Sequence, residues 1–104
     1  MTALDKQRQH KIDRNFSLIV DLLDRKLSKP TINLSEVPNY FYKGNESKLE
    51  ITVFSNPRIA TIDVRMIKLK NYDREPFFEC SYDLNELSMA TFERAIDDLI
   101  SQVN

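Results

Sequence analysis

Residues 62–82 read IDVRMIKLKNYDREPFFECSY, and the way this stretch pairs with itself decides the fold. It starts as an alternating strand, with Ile62, Val64 and Met66 apolar and Asp63 and Arg65 polar. The phase then flips. Ile67 and Leu69 stand where the pattern calls for polar residues. Directly opposed residues on antiparallel strands interact, so the register of the hairpin can be tested by chemistry. Partners whose numbers sum to 144 set Ile62 against Tyr82, Val64 against Cys80 and Met66 against Phe78 on one face. The other face then pairs Arg65 with Glu79 and Ile67 with Phe77. A sum of 146 opposes Asp63 with Asp83, two like charges, so 144 is the preferred register. It gathers Ile67, Leu69 and Phe77 into an apolar cluster on the outer face, at one end of the hairpin. Two alternatives would bury these residues instead: a β-bulge near Met66 that swings Ile67 and Leu69 into the core, or coverage by residues 30–47.

Working outward, KLEITVF supplies another strand, with Leu49, Ile51 and Val53 on one face and Glu50 and Thr52 on the other. SNPR is the turn that follows it, leading to a third strand over 59–69 and a fourth over 76–84. NYFYK, residues 39–43, reads as a short strand closed by Lys43-Gly44-Asn45-Glu46. Residues 3–28 have helical periodicity, with Ile12, Phe16, Ile19, Val20, Leu23 and Leu27 on one stripe. Leu4, Leu18 and Leu22 fall on a flanking ridge. Thr2 with Asp5 resembles a capping box, and Lys29-Pro30 ends the helix. A last helix over 89–103 has Ser88 as N-cap, Leu87 poised to staple to Phe92, and a stripe of Phe92, Ile96, Leu99, Ile100 and Val103. The expected fold class is α+β, a two-layer sandwich with a long N-terminal helix, a three- or four-stranded antiparallel sheet and a C-terminal helix.

A chain of 104 residues is one domain, 1–104, and can bury roughly two thirds of its unfolded surface. Its formal net charge of −1 excludes a polybasic arm or an acidic disordered tail as the source of function. The single glycine excludes a Gly-rich phosphate loop, and the single cysteine, Cys80, excludes an intrachain disulfide. The start MTALDKQRQHK lacks an apolar signal core, which points to a cytoplasmic protein without a membrane segment.

No catalytic or cofactor motif stands out. The only histidine, His10, lies on the polar side of the first helix, so a zinc site or a Ser/His/Asp arrangement has too few partners. Asp97 and Asp98 are sequence neighbours and point about 100° apart on a helix, so they do not share one site. The chain is therefore expected to be no enzyme, with no metal and no cofactor. The order of helix, strands and helix matches the topology of double-stranded RNA-binding domains. Those domains use lysines at the start of their last helix to reach phosphates, whereas SMATFERAIDD has none there and three acids. Basic residues collect in the first helix and acidic ones in the last, as if the two helices were complementary.

These readings lead to a small protein-binding module, an inhibitor or immunity-type protein that occupies a site on a partner protein. Its expected contact residues are Ile67, Leu69 and Phe77 with Arg65, Lys68 and Tyr72 around them, joined by Tyr40, Phe41 and Tyr42. One alternative is a dimeric secretion-type chaperone or adaptor, a homodimer through the outer sheet face or the Leu18/Leu22 ridge. The other is an RNA- or DNA-binding module using the basic first helix and the aromatics Tyr40, Phe41 and Tyr42.

Overall fold

Alternation of apolar residues at every second position makes four strands, and a 3.6-residue period makes two helices. In a computed structural model, whose described residues are 2–30, 37–56, 59–70 and 75–103, these are α1 (Ala3–Lys26), β1 (Asn39–Lys43), β2 (Ser47–Asn56), β3 (Ile59–Lys68), β4 (Pro76–Asp83) and α2 (Met89–Gln102). The strands form one antiparallel sheet in the order β1-β2-β3-β4. The helices and the sheet share one core. Leu49, Ile51 and Val53 of β2 and Ile62, Val64 and Met66 of β3 are buried against Ile12, Ile19 and Leu23 of α1 and Phe92 and Ile96 of α2. Each such side chain contributes about 1.5–3 kcal/mol by leaving water. The α+β expectation, with both helices on one face of the sheet, describes this molecule.

Helix α1 starts in a capping box. The Asp5 backbone N–H donates to Thr2 Oγ1 at 3.2 Å, and the Thr2 N–H donates to Asp5 Oδ2 at 3.3 Å. It ends at Lys26, earlier than Lys29-Pro30 suggests, because Ser28 exchanges backbone hydrogen bonds with Phe41 of β1 (2.9 and 3.0 Å). The buried stripe is rotated from the expected one. Leu22 lies in the core and Val20 is only half-buried. The expected Leu18/Leu22 ridge is thus corrected: Leu18 is exposed and Leu22 is not available to a partner. The rotation centres on Asn15, whose buried Nδ2 donates to the Leu84 carbonyl at 2.7 Å and ties α1 to the turn between β4 and α2.

Helix α2 begins at Met89 after Ser88, whose hydroxyl makes no capping bond. Its stripe is the expected one, and Phe92 meets the Tyr82 ring edge-on at 5.3 Å. The helices are complementary at one point. Lys26 Nζ of α1 lies 2.7 Å from Asp97 and 3.4 Å from Glu93 of α2. Asp97, the nearer, is the main cause of the raised Lys26 pKa.

The β3–β4 hairpin keeps the 144 register from Thr61–Asp83 to Met66–Phe78 and then slips, so that Ile67 opposes Pro76. The pairing of Ile67 with Phe77 is thereby corrected. Phe77 is the extra residue of a β-bulge on β4, and an extra residue re-aims its side chain. The β2–β3 register has no such break, and Ile67 keeps its place beside Lys48 on the face away from the helices. It is nonetheless buried, at 8% exposure, while Leu69 (39%) and Phe77 (51%) are exposed. The phase flip at 66–67 therefore marks a bulge, with Met66 under the helices and Ile67 packed on the opposite side of the sheet between Lys48 and Pro76.

Candidate functional site

Both helices lie on one face of the sheet, so the residues that alternate out of the core have no second layer over them among the described residues. Alternation puts Glu50, Thr52 and Phe54 of β2, Asp63 and Arg65 of β3, and Glu79 and Ser81 of β4 on that open face. The registers bring them side by side: Arg65 stands between Glu50 and Glu79, and Asp63 between Thr52 and Ser81. Together they line a trough of about 560 Å³ across three strands.

The polar contacts in the trough are specific. The register places Arg65 opposite Glu79, as the sequence suggests, but its Nε goes to Glu50 Oε1 at 3.2 Å. Lys48 Nζ also reaches Glu50, at 3.7 Å, while lying 5.1 Å from the centre of the Phe41 ring. Asp63 Oδ1 accepts from Ser81 Oγ at 2.9 Å. Glu79 is exposed and has no ion pair among the described residues. The trough thus sets three carboxylates against the Arg65 guanidinium and the Lys48 ammonium at its edge, and both cations are engaged by Glu50.

The residues singled out from the sequence do not form one site. Tyr40 is in the core. Its hydroxyl donates to Asp24 Oδ1 at 3.1 Å, and Lys29 Nζ is 5.6 Å from its ring centre and 2.9 Å from the same Asp24 oxygen. Burial, with Asp24 as the second cause, raises the Tyr40 pKa to about 12. Asp24 itself is held below the usual carboxylate range, first by its hydrogen bond to Lys29. Tyr40 is therefore closed to a partner, and the expected aromatic cluster is corrected: Phe41 faces the open side under Lys48 and Tyr42 is exposed near the start of β2. Lys68 reaches over the Phe77 ring at 5.8 Å, and the two share a cleft with Glu46, Lys70 and Gln102 of α2, on the helix side of the sheet. Leu69 lies at the same end of β3, and Tyr72 falls outside the described residues.

Glu50, Thr52, Phe54, Asp63, Glu79 and Ser81 were not singled out from the sequence. The signal for them was present, since each sits on the polar phase of a strand, but only the β2–β3 register shows that they converge. Among the described residues, no three His, Cys, Asp or Glu side chains are grouped to hold a metal ion. No described helix is long and apolar enough to cross a membrane.

Comparison with protein-family models, with curated proteins and with solved structures finds no match for this chain.

Proposed function

We propose that this chain is a non-catalytic protein-binding module of the inhibitor or immunity type, which seats the open face of its sheet on a basic region of another protein. One observation carries the reading: among the described residues the sheet is covered on one side only, and the uncovered side holds a trough whose carboxylates Glu50, Asp63 and Glu79 outnumber the cations Arg65 and Lys48, both of which are engaged by Glu50. Half-buried Phe54 and the Phe41 ring under Lys48 supply apolar surface beside these charges. A partner that offers arginine or lysine side chains to Glu79 and Asp63 gains directional, charge-assisted hydrogen bonds. Such complementarity sets association rate and partner choice more than raw affinity. The same charge balance repels phosphates, so the observation favours a protein over a nucleic acid.

The test is affinity capture from a nuclease-treated native lysate with the wild-type chain and with Glu79→Lys, each checked for fold by circular dichroism. The expected result is one stoichiometric basic protein retained by the wild type and bound about tenfold more weakly by Glu79→Lys, equivalent to about 1.4 kcal/mol. Equal retention by both chains removes the open face from the interface.

A further inference from the structure

We propose that β4 is a strand-pairing edge that joins a second copy of this chain, antiparallel about a two-fold axis centred on Cys80. The sheet ends at β4, which has no neighbour on its outer side among the described residues. The direction of its backbone groups follows from the ladder. The Leu84 N–H donates to the Ala60 carbonyl at 2.9 Å, making 60 and 84 a hydrogen-bonded pair. Such pairs alternate along antiparallel strands. Tyr82, Cys80 and Phe78 therefore turn their backbone groups toward β3, and Asp83, Ser81 and Glu79 turn theirs outward. The opposite rows check this parity. Leu69 N–H donates to the Glu46 carbonyl, so odd-numbered residues of β3 bond to β2 and even-numbered ones to β4.

Outward groups pair only with outward groups, so a self-paired β4 must match odd-numbered residues with odd-numbered ones. The bulge at Phe77 leaves 78–83 as the regular part. Two registers use most of it. One is centred on Ser81 and opposes Glu79 with Asp83 twice, which like charges disfavour. The other is centred on Cys80. There Glu79 faces Ser81 of the partner subunit and exchanges both backbone hydrogen bonds with it, and the two-fold axis repeats the exchange. On the helix side, Phe78 faces Tyr82 of the partner subunit, and the two Cys80 residues face each other. Phe78, a large apolar side chain left 39% exposed beside this edge, gains an aromatic neighbour. Only the Cys80-centred register overlaps five residues of the regular strand without opposing like charges.

Cys80 makes the register measurable. It falls at a non-hydrogen-bonded position of the new pair, where Cα atoms lie about 4.5 Å apart, within the range a disulfide spans. The free thiol of Cys80 is half-buried. The experiment is light scattering after size exclusion at tens of micromolar chain, followed by brief treatment with diamide, which takes the electrons and protons of a thiol pair to leave a disulfide. The expected result is twice the 12.2 kDa chain mass and rapid conversion to a covalent dimer on a non-reducing gel, lost in Cys80→Ser. Ser81→Pro removes an outward N–H without touching the β3 ladder, and Ser81→Glu, made together with Asp63→Asn so that it meets no like charge in its own chain, opposes Glu79 of the partner subunit with a like charge. Each is expected to weaken the dimer at least tenfold with the circular dichroism unchanged. Where the proline variant fails to fold, the glutamate variant decides. A wild type that stays at monomer mass overturns the proposal. So does a dimer that resists the glutamate variant or that diamide does not link.

Discussion

Removing the Ile67 side chain separates the bulged hairpin from a regular one. In a regular hairpin Ile67 and Phe77 are equivalent partners, and truncating either costs about the same. In the bulged strand they are not: Ile67 is 8% exposed and Phe77 is 51% exposed. Ile67→Ala deletes roughly three methyl or methylene groups, each worth about 0.8 kcal/mol when buried. The site lies at the sheet surface, where neighbours can relax into the gap, so the cost falls in the lower part of the usual 2–5 kcal/mol range, at about 2–3 kcal/mol. For a domain of this size each kcal/mol lowers Tm by roughly 4–8 °C, giving a drop of about 10–20 °C by differential scanning calorimetry. Phe77→Ala loses a half-exposed ring and its contact with Lys68, about 1 kcal/mol in all. Its expected drop is under half that of Ile67→Ala. A Phe77→Ala drop equal to or larger than that of Ile67→Ala refutes the placement of the extra residue at Phe77.

Two further outcomes follow from buried polar groups. Asn15→Ala leaves the Leu84 carbonyl without its donor, and an orphaned buried acceptor costs about 1–3 kcal/mol; urea melts should show a lower midpoint with unchanged slope, and an unshifted midpoint means the bond contributes nothing. Tyr40 keeps its phenolic proton to about pH 12 in the folded chain, whereas an unfolded tyrosine releases it near pH 10. The stability from this group is fully present below pH 10 and is lost as pH rises through 12. Tyr40→Phe should flatten the wild-type decline over that window in denaturant melts, and parallel curves for the two chains would contradict it.

The sheet was legible because apolar residues alternate over 49–53 of β2, 62–66 of β3 and 78–82 of β4, and period two repeated in three successive segments is hard to mistake. The α2 stripe was legible for the same reason at period 3.6. Chemistry also chose the correct hairpin register, since Asp63 opposite Asp83 is avoided and Ser81 meets Asp63 instead. It could not place the extra residue. Phe77 and Phe78 are adjacent and identical, so either one satisfies the apolar phase. The α1 stripe was misread because its centre is a polar residue. Asn15 belongs in the core only once Leu84, 69 residues later, offers its carbonyl. Tyr40 carries a hydroxyl, which reads as a surface feature until Asp24 is found beneath it. The open-face trough is a property of three strands at once, and no single strand announces it.

The hydrogen bonds between Ser28 and Phe41 bear on how far assembly can run. The backbone groups of Phe41, the middle residue of β1, are taken by the chain's own residue 28. The rim at β1 is therefore interrupted at its middle, whereas β4 has no neighbour among the described residues. A rim interrupted at its middle is a poorer template than an open one, so strand addition at β4 is favoured over growth from both rims into a fibre. Polymerisation would first require Ser28 to let go of Phe41, which places the safeguard against runaway growth in the few residues that follow α1.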